Sequence, residues 1–290
     1  MVAVSAALLV AGTTGCARPA DSSLNPAAPL PSASPVDHDW ADFPVDRTPR
    51  PIVLVGSVAK HSGYTTDEAK MAASTGNLTL DGPLPAGTPS PRPVSLPDGT
   101  RSLPLISAED AFGQLRANPD AKSVEQTKPL RITRVELGST TFATDRGDVE
   151  LPAWLFHPVD ALGPIAWPAV GPDAFWRPGT VVPAISGARG GDALSADGRA
   201  LTLHLPAAPP PCPGQPITRS DPVAASNRTT VTISLRTVPT GSVAPGEKGG
   251  ECVHDMMLRL VPYTVTLDAP LGNRVLLDGQ GRVHAVQVRK

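Results

Sequence analysis

"VELPAWLFHPV", residues 149–159, is the stretch on which the fold turns. Leu151, Ala153 and Leu155 alternate with Trp154 and Phe156. Successive residues of a strand face opposite sides, so a strand apolar on both sides needs cover on both. Just upstream, "LRITRVELG" (130–138) alternates apolar and polar residues as a half-buried strand does. Before it stands the strongest helix signal of the chain, "SAEDAFGQLRAN" (107–118). Ser107 is a natural N-cap and Asp110 closes a capping box. Ala108, Ala111, Phe112 and Leu115 share one face, and Asn118-Pro119 stops the helix. That helix is expected to cover one face of the 149–159 strand. With "PIVLVGSV" (51–58) as a further strand and a Pro/Gly-rich irregular stretch at 81–104, the expectation for residues 51–178 is α+β, a small helix-on-antiparallel-sheet N-terminal domain.

From residue 179 onward the pattern becomes all-β. Strand-like runs occupy 199–205, 229–237, 257–267, 273–278 and 283–288, separated by Asp-Gly, Gly-Gly and Pro turns. Pro262 inside its run marks an edge strand or a bulge. A β-rich C-terminal domain, residues 179–290, built as a sandwich or open barrel, is expected.

The other end of the chain sets its destination. "VAVSAALLVAG" (2–12) has the length of a signal-peptide apolar core and is too short to span a bilayer as a helix. Thr13, Thr14, Gly15 and Cys16 follow. This resembles the lipobox of bacterial lipoproteins, which implies that residues 1–15 are a signal peptide and that Cys16 is acylated to become the lipid-bearing N-terminus. Thr13 stands where that pattern prefers Leu, and no Lys or Arg precedes the apolar run, so the start is expected upstream of Met1. Residues 16–50 are rich in Pro, Ser, Asp and Ala and read as an extended tether. Within it Asp37, His38 and Asp39 read as a solvated acidic patch rather than a weak metal site, since a flexible segment fixes no supporting shell around a metal. Cys212 and Cys252 remain, and in an oxidising compartment such a pair is expected to bridge. A metal site there lacks ligands, because there is no CxxC and only His254 is near.

Two wider resemblances follow from the motifs above. The order "SAEDA", alternating strand, "LPAWLF" over residues 105–158 is similar to PepSY-like extracytoplasmic modules. "TDRGDVELPAWLF" and "TVTLDAPLGNRVLLDGQGR" resemble uncharacterised secreted lipoproteins of high-GC Gram-positive bacteria. The first likeness implies a short helix lying on a small antiparallel sheet, and the second an exported, anchored, mixed α/β product. Neither transfers a catalytic residue.

Composition and motifs exclude more than they assign. A net charge of −2 leaves no electrostatic footprint for nucleic acid. Proline supplies 35 of 290 residues, so much of the chain cannot be helix. There is no G-x-S-x-G, HExxH or P-loop, and the glycine-rich 186–198 stretch lacks the Gly-Lys-Ser/Thr that holds phosphate. The histidines are scattered, with His157 at the end of the buried strand the one to examine. No catalytic residue, metal or cofactor is assigned. Aromatics crowd between Trp154 and Trp176. Trp154 and Phe156 read as core, and Trp167 and Trp176, among prolines and glycine, as loop residues able to form a binding surface. The reading is therefore a lipid-anchored protein of the extracytoplasmic membrane face, acting as a non-catalytic binding or regulatory module for an envelope protein or cell-wall glycan. An extracellular hydrolase is the alternative.

Overall fold

The computed structural model describes residues 40–117, 128–177, 192–246, 252, 257 and 259–288. Helix α1 (Asp67–Ser74) begins where the Thr66 hydroxyl accepts the Ala69 N–H. Strand β1 (Leu78–Leu80) follows, then a hairpin of β2 (Arg92–Leu96) and β3 (Gly99–Leu103). Helix α2 (Ala108–Arg116) carries the expected cap: Ser107 accepts the Asp110 N–H at 3.0 Å and donates its hydroxyl to the Asp110 carboxylate at 2.6 Å. Its Ala108, Ala111, Phe112 and Leu115 are buried. Strands β4 (Leu130–Thr144), β5 (Gly147–Pro158) and β6 (Ile165–Pro168) complete the first sheet, in the order β1-β4-β5-β6. In it β1 runs parallel to β4, and the other pairs are antiparallel.

The later strands are β7 (Ala193–Leu194), β8 (Ala200–Pro206), β9 (Pro216–Ser226), β10 (Thr230–Val243), β11 (Leu260–Thr266), β12 (Val275–Asp278) and β13 (Gln287–Val288). They form two sheets, β12-β10-β9 and β11-β8-β7-β13. Leu201, Leu203 and Leu205 from β8 meet Val231, Ile233 and Leu276 from the other sheet in one shared core. A smaller cluster joins Trp40, Phe43, Val53 and Val55 to Val275, Leu277 and Val283. The described residues all belong to one compact unit, Pro35–Lys290.

These findings overturn the α+β expectation. The fold is mainly β, with four sheets and two short helices of eight and nine residues among the described residues. The first sheet is mixed, and the described residues form no helix-on-antiparallel-sheet N-terminal domain. The physical reason lies in the cover of β5. Its core is completed by Ile52 and Leu54, by Val94 and Leu103 of the β2–β3 hairpin, and by the buried face of α2. A helix of nine residues is only about 14 Å long, so extended chain supplies much of the cover. The 81–104 stretch, read as irregular, contains that hairpin. Residues 51–55 and Val58 are buried, Gly56 and Ser57 are exposed, and the segment joins its neighbours through isolated bridges, Ile52 to Phe175 and Leu54 to Thr144.

Cys212, between β8 and β9, and Cys252, between β10 and β11, lie at disulfide distance with Cα atoms 5.6 Å apart. Their bridge closes a segment of 40 residues that holds the β9–β10 hairpin. Converting both cysteines to alanine is expected to lower stability by about 2–4 kcal/mol. The measure is a lower urea midpoint, with a steeper slope because the unfolded chain without its cross-link exposes more surface; an unmoved midpoint would show that other contacts alone hold the loop.

Candidate functional site

The tip of the β4–β5 hairpin builds the most unusual chemistry of the molecule. Thr144 donates its hydroxyl to the Gly147 carbonyl at 2.6 Å and accepts the Arg146 N–H at 3.1 Å. Gly147 adopts φ 91°, and a Cβ there would lie 2.9 Å from the Gln287 side chain, so the tight tip requires glycine. Hairpin tips normally face water. This one is held inside, because the Asp145 N–H donates to Val53 and the Asp145 carbonyl accepts from Val286.

Asp145, 2% exposed, meets two arginines. Arg50 grips it with both terminal nitrogens, one at 3.0 Å, and Arg146 Nε stands 3.9 Å away. The guanidinium of Arg50 also lies over the Phe43 ring, 4.8 Å from its centroid. Beneath them runs the turn Ala269 to Arg274, and each of its six carbonyls accepts an arginine N–H. Arg274 bonds back to Ala269, Pro270 and Leu271. Arg146 takes Gly272 and Arg274, and Arg50 takes Asn273 at 2.8 Å. Burial lowers the Arg146 pKa to about 10; Asp145 raises it, while the neighbouring charges of Arg50 and Arg274 add to the lowering.

A cleft of about 320 Å³ opens onto this clamp. Arg50, Asp145 and Arg146 line its floor, Ile52, Leu96, Pro97, Val149, Leu194 and Pro270 its walls, and Asp98 and Asp197 are exposed at its mouth. The Ser195 hydroxyl, the Arg199 N–H and the Arg199 charge hold the Asp197 carboxyl below its ordinary range.

A second polar cluster is buried nearby. Asp192 lies between His284 Nδ1 and His204 Nδ1, each 3.2 Å from its carboxylate, and accepts the His204 N–H at 2.7 Å. Burial pushes the Asp192 carboxyl up, but the hydrogen bonds from His284 and His204 outweigh it and hold it down. His284 Nε2 has no hydrogen-bond partner among the described residues. The arrangement has the Asp–His half of a hydrolytic triad, yet the His284 ring is 0% exposed and closed to substrate.

The sequence-derived candidates fall in several places. Cys16 lies outside the described residues. Trp167 sits inside the first core at 3% exposure, its Nε1–H donating to Gln114 Oε1 at 3.1 Å. Such a residue presents no surface. Trp176 is half-buried, stacked on Trp40 with ring centroids 6.3 Å apart and edge-on to Phe43. Trp40 and Phe43, which composition assigns to the tether, are themselves buried. His157 bonds Glu136 at 2.9 Å and Arg134 at 3.2 Å, an ion-pair cluster on the sheet surface. Arg50, Asp145, Arg146 and Arg274 escaped the sequence reading. The signal for Asp145, Arg146 and Arg274 was present in the stretches "TDRGD" and "PLGNRVLL", which meet at the clamp.

No protein-family model, curated protein or solved structure matches this chain.

Proposed function

We propose that the protein is exported, anchored by lipid on Cys16 to the extracytoplasmic face of the cell membrane, and works there as a non-catalytic binding module. The single observation that carries the binding role is the cleft above the arginine clamp. It is concave, mostly apolar in its walls and furnished with a few fixed polar groups, the usual composition of a ligand site. Its floor is rigid, since every carbonyl of the turn beneath is bonded. The export reading draws on the apolar run that ends at Gly15-Cys16, and on a cysteine pair at bonding distance, which suits an oxidising compartment.

Two measurements test the two halves. Cys16→Ser is expected to move the protein from the membrane fraction to the medium; membrane retention of the variant would refute lipid anchoring there. Native mass spectrometry of protein released gently from its own envelope is expected to show a bound mass, lost in Leu96→Trp, which fills the cleft. Protein free of any adduct, or an adduct that survives Leu96→Trp, would rule out the cleft as the binding site.

A further inference from the structure

The charge layout of the cleft defines what it suits. A charge removed from water is stable only where opposite charge meets it. At the floor, the guanidinium groups of Arg50 and Arg146 share the single carboxylate of Asp145, and the Arg274 charge acts on Arg146 from the turn beneath. The six turn carbonyls supply dipoles but no formal negative charge. Arg146 directs Nη2 to the turn and Nε toward Asp145, while its Nη1 makes no hydrogen bond among the described residues. The floor thus holds excess positive charge and a free pair of N–H donors, at the bottom of an apolar-walled space.

The mouth limits which anion can enter. Asp98 and Asp197 stand there, and Asp98 accepts the Arg50 backbone N–H at 3.1 Å. Two carboxylates at the entrance oppose a dianion such as phosphate twice as strongly as a monoanion. The walls at Leu96, Pro97, Val149 and Leu194 call for an apolar body, and about 320 Å³ is the low end of small-molecule sites.

We propose that the cleft binds the carboxylate of a small apolar acid, either a free monocarboxylic acid or the C-terminus of a short peptide, through Arg146 at its floor. The proposal rests on the binding reading above and names its ligand class.

Isothermal titration of the full Cys16→Ser chain, disulfide intact, tests it with 4-methylpentanoate, N-acetylglycyl-leucine, the amide of each, and inorganic phosphate. At least one acid is expected to bind, with its amide about tenfold or more weaker, as befits loss of a charge-assisted pair. Binding by the first acid alone marks a free acid, and by the second alone a peptide terminus. Asp98→Asn, an exposed change, is expected to tighten binding about twofold to threefold by removing a like charge at the mouth. Leu96→Glu is expected to abolish it. Equal affinity for acid and amide, preference for phosphate, or no binding of either acid overturns the proposal. If a native adduct sensitive to Leu96→Trp persists when both acids fail, the ligand class is wrong and the binding role stands. If the adduct is also absent, both fall.

Discussion

Asp145→Asn is expected to destabilise the protein by about 3–5 kcal/mol, the usual cost of removing one partner from a buried ion pair. The amide keeps the size of the side chain but not its charge, so Arg50 and Arg146 would remain buried with carbonyl dipoles alone to balance them. One amide oxygen can accept from Arg50, but the amide nitrogen would point a donor at the other guanidinium nitrogen, where two donors oppose each other. Because Asp145 also stands where Arg50, the hairpin tip and the 269–274 turn converge, the loss reaches both halves of the unit. Urea unfolding of the variant checks this. A loss below about 1 kcal/mol, the scale of an ordinary hydrogen bond, would show that the turn carbonyls hold the arginines without the carboxylate.

Trp167→Ala is expected to cost a similar amount, about 3–5 kcal/mol, as for other large buried aromatics. Trp167 on β6 lies directly opposite Trp154 on β5. Both indoles also reach across to the α2 region: Trp154 Nε1–H donates to the Ile106 carbonyl at 3.0 Å, and Trp167 to Gln114. Truncation would open a cavity against the sheet and release one of the two ties that seat the helix. Thermal unfolding should show the Trp167→Ala midpoint falling as far as that of Trp154→Ala. If Trp167→Ala leaves the midpoint within the range of a surface change, the packing described for β6 is wrong.

What the sequence discloses follows from where the physics is local. The α2 cap was readable because Ser107 and Asp110 interact within one turn. The β4 and β5 runs were readable because alternation needs no knowledge of partners. The amount of helix in the fold was not, since a capped amphipathic segment says nothing of how much sheet it covers. Strand β9 went unseen because Pro216 and Pro222 argue against a strand; at the edge of the β12-β10-β9 sheet a missing N–H is tolerated. Trp167 looked like a loop residue because Pro168 follows it, yet that proline ends β6 at the sheet's edge. The clamp was hidden for a different reason. Charged residues at a hairpin tip ordinarily face water, and backbone carbonyl acceptors leave no trace in a sequence. Only the fold reveals that Arg50, Arg146 and Arg274 converge on one turn.

That convergence also governs the order in which the molecule can assemble. Arg50 is bonded to Asn273 across 223 residues, and Arg146 to Arg274 across 128. Closures of such length are entropically slow, and here they secure the segment that carries Trp40, Phe43 and Val53. The segment around residues 40–55 therefore acquires its final packing only once the 269–274 turn and the strand after it are in place. Until then Asp145 and its arginines stay hydrated. Docking of the 269–274 turn is the event that closes the whole unit.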